Sequence, residues 1–275
     1  MIRMVNVKKL NGELQEYDPA KLRVSLKRAG ADDKHIDNIL SDVNKILYDG
    51  VTTRKLFKFV FSQLKKCDPK TSCKYDLKNA IMRLGPEGFA FEEYIGYLFK
   101  HLGYKTDLNQ FARGQFISHE IDVIAEKGNE RLMVECKHHK EAWMGTSIQI
   151  ALYVYARFLD VKKEFSAPVL ATNTQFSGQV MKYAKGVGLR LLGWRDPKGS
   201  NLALYVEKFK LYPVTMLDTL SKEDLKNLLR NKIILVETLA AKSEAEVVKV
   251  LGISRQKAKK VHDQAVALCP SCKLS

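Results

Sequence analysis

Acidic residues are in short supply in this chain: 31 Asp and Glu stand against 46 Lys and Arg, a formal net charge of +15 with a pI near 9.5. Such a surplus favours polyanionic partners through counterion release, nucleic acid foremost. An anionic membrane surface competes for that reading, but neither terminus reads as a strongly amphipathic basic helix. A basic protein with no polyanion partner is the remaining alternative. Cysteine is also scarce, five residues in 275, and the odd count argues against a disulfide framework. The opening "MIRMVNVKKLNGEL" lacks the apolar segment of a secretory signal, and no run approaches membrane-spanning length. The expectation is therefore a reduced, cytoplasmic protein with no membrane partner. Solenoid repeats and low-complexity tracts are absent. So is any G-x-x-x-x-G-K-[ST] loop, which argues against a P-loop motor. What remains, 45% hydrophobic and 28% charged residues, is the composition of an ordinary folded protein.

Three segments follow from the patterning. In residues 1–84, where the basic surplus is steep, Asn11-Gly12 in "VNVKKLNGELQEYD" signals a two-residue hairpin turn. Helical patterns come next: "PAKLRVSLKRAG", with Pro19 at a first helical position and Gly30 as a stop, then "KHIDNILSDVNKILYDG" and "TTRKLFKFVFSQLKK". Gly85-Pro86 punctuates the boundary. Residues 85–213 are nearly balanced in charge and alternate helix and strand: a helix over about 89–102, strands around 119–139, a helix over about 145–158, strand "APVLATN", helix "FSGQVMKYAKGVG" and strand "LRLLGW". That order implies an α/β unit with a mixed sheet. Residues 214–275 read as helical throughout.

The stretch "HEIDVIAEKGNERLMVECKHH" (119–139) is the centre of interest. Gly128-Asn129 suits a two-residue turn, which pairs Lys127 with Glu130 and, counting outward, sets Asp122 opposite Glu135 and Glu120 opposite Lys137. Alternation puts Glu120 and Asp122 on one face of their strand, and Glu135 and Lys137 on one face of theirs. Carboxylates directly across a hairpin repel each other. A divalent cation reverses that sign, since paired carboxylates are a common way of holding Mg²⁺. A solvated surface hairpin, its charges paired with Lys127 and Lys137, is the competing reading. In the preceding helix "FAFEEYIGYLFKHLGY", Phe91, Ile95, Leu98 and Leu102 make an apolar stripe. Glu92 falls at its edge, able to reach the hairpin, and Glu93 nearly opposite, towards solvent.

Glu92, Asp122 and the run Glu135-Cys136-Lys137, together with "FEEYIGYLFKHLGY", "VECKHH" and "ATNTQFS…YAKGVGLRLLGW", resemble the Mrr-like branch of the PD-(D/E)XK nucleases over residues 88 to about 195. Gln149 and Tyr153 match the Q-x-x-x-Y element of some branches. The resemblance implies a PD-(D/E)XK core and a metal-dependent DNA endonuclease. Asp122, Glu135 and the carbonyl of Cys136 would bind Mg²⁺ or Mn²⁺, Lys137 would position the attacking water, and Glu92 and Gln149 would support the metal or the DNA. Glu120 departs from the family pattern, as a further ligand or as a partner of Lys137. A zinc reading of His119, His138 and His139 is set aside. Cys136 reads as a small buried apolar residue rather than a nucleophile.

The flanks carry their own resemblances. "VKKLNGELQEYDPAKLRVSL", with Thr52 and Thr53 further on, resembles an ATP cone over residues 3 to about 82. By that match Lys9 and Lys21 would contact nucleotide phosphate and Asp18 the base or sugar, with ATP or dATP as regulatory ligand; Leu10 replaces the basic residue usual there. A basic helical DNA-binding cap is the alternative. "LGISRQKAKKVHDQAVAL" resembles half of a helix-hairpin-helix: Gly252, Ile253 and Ser254 would turn backbone N–H groups towards a DNA phosphate, with Arg255, Lys257 and Lys259 nearby. A degenerate earlier copy spans "LLRNKIILVETLAAKS", where Asn231 and Lys232 stand for the usual glycine. An interaction bundle is the alternative. Cys269 and Cys272, with Cys67 and Cys73, are a candidate zinc set. The sequence thus points to a DNA endonuclease with a nucleotide-sensing domain (1–84), a nuclease domain (85–213) and a helical DNA-binding domain (214–275). A homodimer would cut both strands. The rivals are a nucleotide-responsive DNA-binding protein that does not cut, and a branched-DNA resolvase.

Overall fold

The computed structural model describes residues 5–85 and 89–269. Pro86 and Cys272 therefore lie outside the described residues, and with them the Gly85-Pro86 boundary and the second cysteine of the terminal pair. The chain forms two compact units, residues 1–78 and 79–275.

The first unit opens with β1 (Asn6–Lys8) and β2 (Leu14–Glu16), followed by α1 (Pro19–Ala29), α2 (Asp33–Ile46), β3 (Val51–Thr52), α3 (Thr53–Cys67) and α4 (Pro69–Tyr75). Strands run in the order β2-β1-β3, the first pair antiparallel and the second parallel. The hairpin differs from the expected two-residue turn. The Lys9 N–H donates to the Glu13 carbonyl, and the Gly12 N–H donates to that of Lys9. Leu10, Asn11 and Gly12 thus make a three-residue loop with Gly12 at φ +88, the left-handed position such loops end on. The helices start where their caps dictate: the side chains of Asp18, Asp32, Thr52 and Asp68 each accept a first-turn backbone N–H. Gly30 closes α1 in the left-handed conformation, as its place in the sequence requires. Leu26, Ile36, Val43 and Val51 are fully buried at the centre of this unit.

α5 (Leu77–Met82) spans the division between the units. The second unit continues with α6 (Phe89–His101), β4 (Lys105–Arg113), β5 (Ser118–Lys127), β6 (Glu130–Lys137), β7 (Gly145–Thr146), α7 (Ile148–Val161), β8 (Ala167–Thr172), β9 (Gln175–Phe176), α8 (Gly178–Val187) and β10 (Arg190–Leu192). The five-stranded sheet has the order β10-β8-β6-β5-β4, with β4, β5 and β6 antiparallel and β6, β8 and β10 parallel. This is the mixed α/β architecture expected. α6 packs on β4, β5 and β6 through Phe91, Ile95 and Leu98, all fully buried. Each such side chain contributes about 2 kcal/mol by removal from water. α7 and α8 cover a second cluster that includes Ala112, Ile121, Ile124, Met133 and Leu170.

The remaining elements are helical: α9 (Leu202–Phe209), a 3₁₀ turn (Val214–Met216), α10 (Lys222–Arg230), α11 (Val236–Ala240), α12 (Glu244–Leu251) and α13 (Arg255–Leu268). Reciprocal Ser221–Asp224 and Ser243–Glu246 capping boxes start α10 and α12. This region joins the sheet's unit by buried hydrogen bonds. The Tyr94 hydroxyl donates to the Leu211 carbonyl at 2.7 Å, and that of Thr215 to the Ala80 carbonyl at 2.6 Å. The packing overturns one expectation. Glu93 does not face solvent but is buried. The helix periodicity is as expected, but the far side of α6 is covered by later segments rather than water. Burial raises the Glu93 pKa, against the opposing pull of Lys232 and Lys100.

Candidate active site

β5 and β6 keep the register set by the Gly128-Asn129 turn, from Lys127 opposite Glu130 to Val123 opposite Val134. The ladder stops there, so Asp122 and Glu135 are the first pair beyond it. On the other side of β5 the β4 ladder skips one step, between Leu108–Val123 and Gln110–Ile121. The skipped residue opposite Asp122 is Asn109, at φ +51. That left-handed conformation is unusual outside glycine, and Asn is among the residues that tolerate it best. Alternation shifts at this point. Val123 stands opposite Leu108, whose side chain abuts Gly96 of α6, whereas Ile121 joins Ile124 in the cluster beneath α7 and α8. Two residues three apart on an unbroken strand would point to opposite faces.

This break is where the charged groups gather. The Cys136 N–H donates to Asp122 Oδ2 at 2.7 Å, so a carboxylate takes a backbone donor where the ladder has ended. Asn109 Nδ2 donates to Glu92 Oε2 at 2.9 Å and orients Glu92, which is near enough to raise the pKa of both Asp122 and Glu135. Burial is the main cause of both shifts. It lifts Asp122 to about 6, with Glu92 and Glu120 adding repulsion, and Glu135 to about 8, with Asp122 the next contributor. Arg157 opposes both: its guanidinium donates to Glu135 Oε2 and to the Glu120 carbonyl. The second oxygen, Glu135 Oε1, is buried and has no hydrogen-bond partner. Asp122 and Glu135 thus face each other across a gap only half neutralised by Arg157. Glu92 does not complete a tight trio; the group of three whose ligand atoms all lie within 4.8 Å, among the described residues, is Glu244, His262 and Asp263.

Around the carboxylates lies an open cleft of ≈ 420 Å³, lined by Ile117, Ser118, His119, Glu120, Asp122, Tyr153 and Arg157. Gln149, Tyr153 and Arg157 follow one another at four-residue steps on α7 and so share a helical face. Gln149 and Tyr153 are exposed, and the Arg157 guanidinium lies over the Tyr153 ring, 5.5 Å from its centroid. Lys137 is exposed at the end of β6. Burial pushes the Cys136 thiol well above its usual pKa, as befits an unreactive side chain. The three histidines go to separate partners: His119 to Asp160, His138 towards the Ile81 carbonyl, and His139 to Thr146.

Sequence reasoning does not single out Arg157 or Asn109. The Q-x-x-x-Y spacing, carried one more step of four, lands on Arg157. Asn109 carries no comparable signal, because its role depends on a conformation visible only once β4 is paired.

The flanking candidates are placed as follows. Asp18 caps α1 by accepting the Ala20 N–H, Lys21 lies 3.8 Å from Asp18, and Lys9 lies 3.6 Å from Glu13; Lys21 and Glu13 are exposed, Lys9 and Asp18 half-buried. Near the C-terminus Gly252 is left-handed and ends α12, Ile253 is half-buried, and the Ser254 hydroxyl caps α13 through the Lys257 N–H. Arg255 and Lys259 are exposed, whereas the Lys257 ammonium pairs with the buried Asp224 carboxylate. Lys232, in the earlier copy of the motif, takes a left-handed φ of 57, the conformation a glycine would supply.

Comparison with known proteins adds names to these segments. Residues 85–195 match the Mrr-type restriction endonuclease model, residues 5–79 the ATP cone domain, and residues 212–269 the AF1548-like C-terminal model. An uncharacterized protein of Archaeoglobus fulgidus is 38% identical over 169 residues, which is 61% of this chain and 95% of that protein. A crystal structure of a protein of unknown function, AF1548, aligns with a TM-score of 0.59 at 35% identity, covering 66% of this chain and 97% of its own.

Proposed function

We propose a function on one premise: the chain belongs to the AF1548-like family, with an Mrr-type PD-(D/E)XK nuclease core and an ATP cone domain. It hydrolyses phosphodiester bonds in DNA, under control of ATP or dATP bound by the cone, in restriction of foreign DNA or in repair. The three segments 1–84, 85–213 and 214–275 serve as nucleotide sensor, nuclease and DNA-binding unit.

The observation that carries this reading is the Asp122–Glu135 pair. Two largely buried carboxylates whose pKa values burial raises, Glu135 further so by the charge of Asp122 and with one oxygen orphaned, are an unfavourable arrangement for an apo protein and a fitting one for a divalent cation. Asp122, Glu135 and the Cys136 carbonyl would hold Mg²⁺ or Mn²⁺. When bound, that ion supplies charge stabilisation at the scissile phosphate and a more acidic water. The protein's own groups do the rest. Lys137 holds the attacking water and offsets charge on the phosphate. Glu92, fixed by Asn109, and Gln149 hold the metal environment and the DNA strand. Arg157 keeps Glu135 in place. Gly252, Ile253, Ser254 and Arg255 anchor a distant phosphate without reading sequence, and Lys257 secures their turn through Asp224.

The test is incubation with supercoiled plasmid and with branched DNA, with Mg²⁺ or Mn²⁺, with and without ATP or dATP. Cleavage is expected from the wild type and is expected to fall at least about a hundredfold in Asp122→Ala and Lys137→Ala. Cleavage surviving either change removes the site assignment. DNA bound but never cut by the wild type would favour the non-cutting DNA-binding protein instead.

A further inference from the structure

The cleft has an apolar rim that phosphodiester hydrolysis does not use. The link between β4 and β5 carries Phe116, 81% exposed, and Ile117, 63% exposed, and Phe111 on β4 is 73% exposed. These are large apolar side chains left in water, yet the backbone beneath them is pinned. Asp160, near the end of α7, accepts the Phe116 and Ile117 N–H groups at 2.9 and 3.2 Å and also bonds His119 at 2.8 Å. Its backbone carbonyl accepts the Gln115 N–H, and the Gly114 N–H bonds back to the Ile117 carbonyl. Gly114 is obligatory here, because a Cβ would lie 2.0 Å from Asp160 Oδ2. A fold gains nothing by fixing exposed rings so firmly, whereas a binding surface gains preorganisation.

Position identifies the occupant. Ile117 lines the same cleft as Asp122 and Arg157, and exposed Tyr153 stands on its α7 wall. Phe111 is the ladder partner of Glu120, whose charge is felt by Asp122, and Arg113, opposite Ser118, is exposed beside it. Rings interleaved with cations at the mouth of a cleft suit a nucleic-acid strand whose bases are out of the stack. Three side chains fall far short of the area on the order of 1,600 Å² that a specific protein interface needs.

We propose that Phe111, Phe116 and Ile117 form a fixed apolar shelf that receives a base displaced from the DNA stack beside the scissile phosphate. The enzyme therefore prefers duplexes already weakened at that point, such as those with an unpaired nucleotide. The substrate preference rests on the nuclease reading; the shelf itself does not.

The test uses the full chain and two duplexes of one sequence, fully paired or with a single unpaired 2-aminopurine, whose fluorescence reports its stacking. In EDTA, binding the unpaired substrate is expected to change the fluorescence as the base stacks on protein rings. With Mg²⁺ or Mn²⁺, that substrate is expected to be cut about tenfold faster than the paired one, the lower range of base–ring stacking. The double variant Phe111→Ala, Phe116→Ala is expected to keep its melting temperature, since both rings are exposed, and to lose both effects. A variant retaining both overturns the shelf. So does a variant that keeps the fluorescence response but changes sedimentation from dimer to monomer, which would make the rim a self-association surface. If the wild type cuts nothing while the fluorescence change still depends on the two rings, the nuclease reading fails and the shelf stands.

Discussion

Asp160 and Glu135 are both nearly enclosed carboxylates, with side chains 10% and 8% exposed, and each is bonded to a residue that lines the cleft, His119 and Arg157 respectively. Asp160 is well supplied with donors on both oxygens. Against the cost of burial, His119 and the N–H groups of Ile117 and Phe116 hold its pKa below the usual range. Glu135 has Arg157 on one oxygen and nothing on the other, faces Asp122, and is held far above the usual range. A carboxylate whose donors are all present is a structural rivet. One short of donors and set against a second carboxylate is, on the function proposed, where a cation would be held. The same side-chain chemistry thus differs at the two positions by its wiring alone, and the function proposed above rests on that difference.

Titration breaks this comparison most strongly. Glu135 has a folded pKa of about 8 against an ordinary value of 4.5, so the folded state holds a proton the unfolded chain releases. Its contribution to stability is therefore present at low pH and is lost as pH rises from about 4.5 towards 8. At about 1.4 kcal/mol per unit the effect is on the order of several kcal/mol, with Asp122, lifted to about 6, acting in the same direction. In EDTA the melting temperature of the wild type is expected to fall across this window. Glu135→Gln should flatten the fall and be the more stable protein at pH 8. Mg²⁺ should restore the wild type at pH 8 and leave Glu135→Gln nearly unmoved. Equal pH profiles for the two proteins would remove the contrast with Asp160.

Much of this contrast is written in the sequence. The Gly128-Asn129 turn sets the register as far as Val123 opposite Val134, and one step further out stand Asp122 and Glu135, so local rules bring the two carboxylates to the end of the ladder. The order of the main helices and central strands through residues 89–194 is equally legible, because apolar periodicity and caps are local properties. The edge strand β4 and the short strands β7 and β9 are not among the expected elements. What local patterns do not carry is the break at Asn109, the contact from Arg157, and the burial of Glu93. Each depends on what a distant segment brings: the pairing of β4, the face of α7, or the cover over α6. The three-residue loop at Lys9–Glu13 escapes the sequence for a smaller reason. Asn-Gly serves both hairpin types, and only the hydrogen bonds distinguish them.

A second test concerns the satisfied carboxylate. Asp160→Asn keeps the shape but removes the charge that His119 and two backbone donors share. The sign is opposite to that of Glu135: a lowered folded pKa gives stability that is present above the unfolded value and lost as pH falls through the folded one. Asp160→Asn should lower the melting temperature at pH 7 and converge on the wild type in acid. Hydrogen exchange at the Phe116 and Ile117 amides should quicken. An unchanged exchange rate at those two amides would mean that Asp160 does not hold the loop.

The smallest effect belongs to the first unit, where charge is neither starved nor buried. Lys9 pairs with Glu13 and Lys21 with Asp18, all four side chains reached by solvent, so each pair contributes little to stability and is readily exchanged. A nucleotide triphosphate offers these lysines a denser charge than a single carboxylate does, at the cost of two weak pairs. Lys9→Ala and Lys21→Ala are therefore expected to leave the melting temperature unchanged and to weaken ATP or dATP binding by roughly tenfold each in calorimetry. Added salt should weaken the wild type more than either variant, because fewer charges remain to be screened. Affinity unaltered by both changes would place the nucleotide elsewhere in the cone. Loss of Asp18 is a different matter: Asp18→Ala removes the α1 cap as well as any contact to the nucleotide, about 1 kcal/mol of helix stability by itself. Comparing Asp18→Ala with Asp18→Ser, which keeps a capping oxygen, separates the two roles. Binding restored by Ser along with the melting temperature marks Asp18 as a cap alone, and stability restored without binding marks it as a nucleotide contact.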